Sequence, residues 1–304
     1  MCLLGQGRWG QVVANRLRSS SRAGRVDVFD TDPRRSTVLA ANWREAVVQA
    51  RPQVVVVCTP SRTHAEIAAF TTQRGLATLV EKPLCTDSEE LLRLSQIAGG
   101  KRLMAGHLLR FHPGYQMLEH LVTKQTYGRL QGVEIHRTSL ARDREGESAW
   151  VTMAPHDLST LFALGLGSLN RLNIQGDLSR IVARLEFDTV EAVLRYDTQA
   201  SARRRELCAR ATSATFRLDE DSPTQLAVTS PTERSLIPIP TGNALQLELD
   251  HFLRCAQSGD PFRTGIEEAA PVVHALELGM RALKRQTVRK WSSAQQMQCH
   301  EGAE

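Results

Sequence analysis

Cys2-Leu3-Leu4-Gly5-Gln6-Gly7-Arg8-Trp9-Gly10 sets a short apolar run against a Gly-x-Gly-x-x-Gly turn, and a helical pattern follows it over 11–18. Glycines cluster in many turns, so the triplet alone says little. Its context says more: the turn joins a strand to a helix, and Asp30 closes the next apolar run, 26–29, 20 residues after Gly10. That is the layout of a dinucleotide site. Gly5 makes the tight turn, Gly7 lets the backbone approach a pyrophosphate, and Gly10 lets helix pack on sheet. Gln6, Arg8 and Trp9 complete the loop, and the pyrophosphate sits on the helix N-terminus, where free N–H groups and the dipole favour an anion. Asp30 favours NAD(H), because a carboxylate bonds the ribose hydroxyls and repels the 2′-phosphate of NADP(H). Arg34 and Arg35, just beyond, either reach such a phosphate and admit NADP(H) or are surface charges of a first helical turn. Only three residues separate Met1 from Gly5; the first strand is expected to be short, either because the start lies upstream or because the sheet tolerates the loss.

The alternation continues with a buried strand at 54–58, a helix at 64–74, a strand at 78–80, a helix at 88–97 and a strand at 102–105, the rhythm of a doubly wound parallel sheet. It breaks near His107. Beyond Gly128, partly alternating strands at 130–138, 181–187, 190–196, 204–210 and 225–229 predict a mostly antiparallel sheet open on one face, and helices follow at 245–257 and 267–284. The expected fold is α/β: an N-terminal Rossmann domain over 1–107 and a C-terminal α/β domain over 108–304.

Composition sets the outer limits. The chain has 304 residues, 41% hydrophobic and 23% charged, enough for two cores. No apolar run approaches the ~20 residues of a membrane helix, and no signal-peptide layout opens the chain, so a soluble cytoplasmic protein is expected. Six cysteines, at 2, 58, 85, 208, 255 and 299, show no Cys-x-x-Cys spacing, which indicates reduced thiols rather than zinc or disulfides. The net charge of +5 is spread along the chain, with short clusters at Arg34-Arg35 and Arg203-Arg204-Arg205. A nucleic-acid partner is not indicated.

Glu81-Lys82-Pro83 follows the apolar run Ala77-Thr78-Leu79-Val80. The chain holds five lysines against 33 arginines, so lysine is not its solubilising residue. A lysine delivered by a strand end and stopped there by proline is placed to touch a reacting carbonyl or hydroxyl, although a solvated strand-end charge is the plainer reading.

These residues resemble the glucose-fructose oxidoreductase and inositol dehydrogenase family (Gfo/Idh/MocA). Cys58-Thr59-Pro60-Ser61-Arg62-Thr63-His64 is similar to its Thr-Pro-x-x-x-His turn beside the nicotinamide, which marks Thr59, Pro60 and His64 as cofactor contacts. Glu81-Lys82-Pro83 is similar to its hallmark tripeptide. Gly106-His107-Leu108-Leu109-Arg110-Phe111-His112-Pro113 resembles its passage into the second domain, and 245–253 its returning helix. The family's Asp-x-x-x-His falls on Thr152-Met153-Ala154-Pro155-His156: the histidine matches, while Thr152 replaces the aspartate and His156-Asp157 resembles a Pro-His-Asp variant. Pro155 suits the first turn of a helix ending near Gly165, which would keep His156 neutral at pH 7, and Thr152 could be its N-cap.

The resemblance implies an oxidoreductase acting on a sugar or nucleotide-sugar carbon. Lys82 stabilises the developing alkoxide and His156 takes the hydroxyl proton; Arg110, His107, Thr152 and Asp157 are candidate substrate contacts, and no metal is required. Asp157 points about 100° from His156 and cannot simply replace the missing aspartate. His120, His136 and His251 are read as surface or packing residues. A homodimer or homotetramer through the open sheet is implied. Two other functions stay open: an NAD-dependent glycosidase with transient redox, and a noncatalytic dinucleotide-binding regulator.

Overall fold

The computed structural model describes residues 1–97, 102–140, 148–221 and 224–301, the side chains as far as 286. In chain order its elements are β1 (Cys2–Leu4), α1 (Arg8–Ser19), β2 (Asp27–Phe29), α2 (Trp43–Ala50), β3 (Val54–Val57), α3 (His64–Gln73), β4 (Ala77–Glu81), α4 (Ser88–Gln96), β5 (Leu103–Gly106), α5 (Pro113–Thr123) and β6 (Leu130–Leu140). Next come α6 (Ala149–Ala163), β7 (Leu169–Gly176), β8 (Arg180–Phe187), β9 (Glu191–Ala200), β10 (Arg204–Ala211), β11 (Thr215–Asp219), β12 (Gln225–Thr229), β13 (Arg234–Pro238), α7 (Ala244–Ser258) and α8 (Ile266–Glu301).

The first unit holds a five-stranded sheet in the order β2-β1-β3-β4-β5, parallel throughout. Strand β3 is four valines, all buried, the apolar run expected of a strand covered on both faces. The order reverses between β1 and β3, and in open α/β sheets the crevice at the carboxyl ends of such strands is where ligands bind. The doubly wound expectation holds.

Contacts divide the chain differently from the contiguous split at 107/108: one unit is Met1–Gln116 with Pro240–His274, the other Met117–Ile239 with Ala275–Glu304. The physical reason is α7. Its Leu249, Phe252 and Leu253 pack with Val13 and Leu17 of α1 on one face of the parallel sheet, while Ile266, Ala269 and Val273 of α8 join the core on the other. Full burial of a residue such as Phe252, at 0% exposure, contributes about 1.5–3 kcal/mol. The returning chain also bonds β5: Ala105 N–H donates to the Thr264 carbonyl at 2.8 Å, and Thr264 Oγ1 donates to the Ala105 carbonyl at 2.7 Å.

The second unit is built on an eight-stranded sheet, β13-β12-β11-β10-β6-β9-β8-β7. Its described pairs are antiparallel except β6 with β9. Alternation follows the pleat: Ile181, Ala183, Leu185 and Phe187 of β8 are buried while Arg184 and Glu186 are exposed. Helix α6 lies against β9. No helix among the described residues is long and apolar enough to cross a membrane.

Trp150, fully buried, donates its indole N–H to the Leu276 carbonyl at 2.9 Å. A Cβ at Gly279 would lie 2.3 Å from the indole ring. Gly279→Ala therefore overpacks the second unit, and we expect a loss of roughly 1–3 kcal/mol in urea unfolding despite the better helix propensity of alanine. An unchanged or higher midpoint would contradict this packing.

Candidate active site

The glycine turn is dictated by main-chain crowding. Gly5 has φ +89°, and a Cβ there would lie 2.7 Å from the Cys58 carbonyl oxygen; a Cβ on Gly10 would lie 2.0 Å from the Gly5 carbonyl oxygen. Gly7 differs, with nothing within 4 Å of where its Cβ would be. It is the N-cap of α1 and supplies no side-chain cap, so the first N–H groups of the helix meet an open approach. These residues fit a pyrophosphate.

Asp30 stands at the end of β2, its Oδ2 accepting the Gln6 N–H at 2.6 Å and its Oδ1 the Asp32 N–H at 2.9 Å. The carboxylate is thereby fixed beside the glycine turn. It lines a cavity of about 590 Å³ with Thr31, Pro33, Leu39, Asn42 and Trp43. Leu39 and Trp43 escaped the reading of the sequence; Leu39, 75% exposed, presents a bare apolar side chain to the same cavity as the Asp30 carboxylate. The two arginines beyond are engaged. Arg34 forks onto Asp32 at 2.9 and 3.0 Å and Arg35 reaches it at 3.4 Å. The Arg34 guanidinium holds the Asp32 carboxyl below its ordinary range.

Behind Thr59 and Pro60, His64 is 1% exposed and bridges two loops: Nδ1 lies 2.7 Å from the Pro83 carbonyl and Nε2 2.8 Å from the Thr59 carbonyl. Burial pushes its imidazole pKa down. His64 thus straps the Thr59-Pro60 turn to the Lys82-Pro83 corner, whose peptide bond is cis. Glu81 accepts the Trp9 indole N–H and, at 3.2 Å, the main-chain N–H of Lys82, tying α1 to the end of β4. Gly106 packs closely on the main chain here, since a Cβ there would lie 3.1 Å from Glu81 Cα and 3.2 Å from the Val80 carbonyl oxygen. His107 is 2% exposed, and neither ring nitrogen has a hydrogen-bond partner among the described residues. Burial, with Arg110 and Lys82 nearby, lowers its pKa to about 3, so the ring is neutral. Arg110, also buried, stands in the turn over 108–111.

In the second unit the structure corrects the local reading. Helix α6 starts at Ala149 on a Ser148 cap, so Pro155 is inside the helix and His156 is in its middle. The dipole argument for a neutral His156 does not apply. Thr152 is not the cap: it is buried, and its Oγ1 donates back to the Ser148 carbonyl at 3.2 Å. Asp157 is fully buried and held by Arg137, whose Nε donates to both carboxylate oxygens at 2.7 and 2.8 Å, while Tyr196 donates its hydroxyl at 2.9 Å. Arg137 also donates Nη1 to Glu220 at 2.9 Å. Burial raises Asp157 to about 6 against the pull of Arg137, which leaves it ionised at neutral pH. This geometry makes Asp157 an internal anchor of α6 rather than a substrate contact. His156 next to it is only partly buried.

The parallel sheet and the glycine loop are those of a Rossmann domain, and the comparisons agree on that fold. Residues 1–107 match the family model GFO_IDH_MocA, described as an oxidoreductase family with an NAD-binding Rossmann fold. The match lies in the nucleotide-binding part of the chain, which is similar to that family over those residues. Inositol 2-dehydrogenase 4 of Saccharopolyspora erythraea is 34% identical over 140 residues, 42% of this chain and 41% of that one. UDP-N-acetylglucosamine 3-dehydrogenase of Acidithiobacillus ferrooxidans is 31% identical over 125 residues, 38% of this chain and 39% of that one. The matched stretches span about two fifths of those relatives. The solved structure of the Acidithiobacillus enzyme superimposes with a TM-score of 0.82 at 19% identity, over 93% of this chain and 97% of that one. Myo-inositol 2-dehydrogenase from Lactobacillus plantarum gives 0.78 at 14% identity, over 94% and 97%. Identities this low speak for the fold alone.

Asp157→Ala removes one of the carboxylates that face buried Arg137, and we expect it to cost roughly 3–5 kcal/mol in chemical denaturation. Unchanged stability together with a raised KM would return Asp157 to the substrate.

Proposed function

We propose that this chain is an NAD-dependent oxidoreductase acting on a secondary alcohol or ketone carbon of a sugar or nucleotide-sugar substrate. The observation that carries the reading is Lys82, set at the end of β4 by the Glu81 carboxyl that also receives Trp9 from the glycine loop. When bound, the nicotinamide accepts or gives the hydride. The residues that would hold the cofactor are Gly5 to Gly10 at its pyrophosphate, Asp30 at its ribose and Thr59 with Pro60 beyond. NAD is favoured over NADP, because Asp30 is fixed in place while Arg34 and Arg35 are drawn to Asp32.

Lys82 brings a positive charge to the substrate oxygen and stabilises the alkoxide. His156 receives the hydroxyl proton in oxidation and returns it in reduction. Arg110 and His107 are proposed to line the substrate side, where a neutral His107 with unpartnered nitrogens can donate from one and accept at the other. The named relatives, dehydrogenases of inositol and of UDP-N-acetylglucosamine, support the substrate class. The five described cysteines are free thiols, in keeping with a cytoplasmic enzyme. The exposed face of the large sheet, where Arg184, Arg195 and Arg217 alternate with Glu134 and Glu191, is proposed for homodimer or homotetramer assembly.

A noncatalytic regulator is the second reading, favoured by the absence of a carboxylate at Thr152. Lys82→Met separates the two. With NAD and a panel of sugars and nucleotide sugars, we expect the variant to lose at least about 10²-fold in turnover while keeping NADH affinity within a few-fold. His156→Asn should behave similarly. Wild-type turnover in Lys82→Met would contradict the mechanism.

A further inference from the structure

The loop after β2 carries two carboxylates and two guanidiniums, Asp30, Asp32, Arg34 and Arg35, and uses them unequally. Ser36 closes the loop on its own start: the Asp30 N–H donates to Ser36 Oγ at 2.8 Å, and that hydroxyl donates back to the Asp30 carbonyl at 2.9 Å. Asp32 caps the turn over 33–35, its Oδ1 accepting the main-chain N–H of Arg34 at 3.1 Å. The same carboxylate takes both arginine side chains, Arg34 through Nε and Nη2 at 3.0 and 2.9 Å and Arg35 through Nε at 3.4 Å. Asp30 receives main-chain N–H groups, from Gln6 and Asp32, and among the described residues no guanidinium. The cavity beside it reflects this division. Asp30, Thr31, Pro33 and Ser36 are among its described lining residues, whereas Asp32, Arg34 and Arg35 are not, so the loop shows the cavity a carboxylate without a cation and keeps both guanidiniums off it.

We propose that Asp32 is a specificity-determining residue for the cofactor: by holding Arg34 and Arg35 it withholds a 2′-phosphate site that the loop otherwise contains, so that NADP(H) is refused through Asp32 as well as through Asp30. The inference rests on the NAD reading above. A 2′-phosphate on the ribose at Asp30 would stand beside the same short loop that carries both arginines, and the planar fork of a guanidinium suits phosphate as well as carboxylate. Asp32 occupies that fork first. The pair is exposed, the Arg34 side chain at 87%, and an exposed ion pair contributes little to stability, so a substitution can release the arginines without disturbing the fold.

Equilibrium binding of NADH and of NADPH to the full chain tests this. Asp32→Asn keeps an oxygen for the cap but loses the charge and one arm of the fork. We expect it to tighten the NADPH Kd by about fivefold or more while the NADH Kd stays within about twofold. Loss of a negative charge would by itself ease phosphate binding, so the substitution is repeated together with Arg34→Met and Arg35→Met, where the gain should vanish. With Asp32 in place, the two methionines should change neither Kd by more than about twofold, because the arginines are already withheld. If Asp32→Asn does not fold, Asp32→Ser, which also caps a helical turn, carries the same expectation. An unimproved NADPH Kd with NADH still bound overturns the proposal alone, and so does a gain that survives the loss of both arginines. Binding of neither cofactor by the wild type overturns the NAD reading and this inference with it.

Discussion

The first unit depends on one close approach of main chain to main chain. The carbonyl of Gly5 occupies the space where a side chain on residue 10 would begin, and the carbonyl of Cys58 occupies the same space at residue 5. This contact brings the end of β1, the start of α1 and the end of β3 to one point. With that point fixed, Asp30 can reach the Gln6 N–H and Trp9 can reach Glu81, so both ends of the cofactor region are referred to the same turn. Any Cβ at position 10 would move α1, and with it both contacts.

Charge is handled differently in the two units. In the second, Asp157 and Glu220 are buried but share Arg137, with Tyr196 adding a hydrogen bond. Paired this way, buried charges are costly to break but contribute little net stability, and what they do is fix the face of α6 from which His156 projects. In the first, the Glu81 carboxyl accepts N–H groups from Trp9 and from the Lys82 main chain.

Much of this was legible in the sequence, for reasons that are local. Val54 to Val57 is an unbroken apolar run, Gly5 to Gly10 has a fixed spacing to Asp30, and Pro83 stops a strand behind a rare lysine; none of these needs long-range information. The elements that were missed carry weak local signals. Strand β7 buries only Ile174 fully, and β13 lies at the sheet edge and ends in Pro238. The start of α6 was misplaced because Pro155 usually marks a first turn, whereas here Ser148 caps the helix seven residues before it and packing of Trp150 and Leu158 carries the helix through. The role of Asp157 depends on Arg137, which lies 20 residues from Asp157 and 83 from Glu220 in sequence, and no spacing rule reveals such a set.

The central claim is that the glycine turn and Asp30 form an NAD site on the parallel sheet. Calorimetric titration of the purified full chain with NADH and with NADPH tests it most directly. The account predicts one NADH per chain and binding of NADPH weaker by about tenfold or more, set by Asp30 against the 2′-phosphate. Equal or tighter binding of NADPH would contradict the role of Asp30, and binding of neither would contradict the site itself.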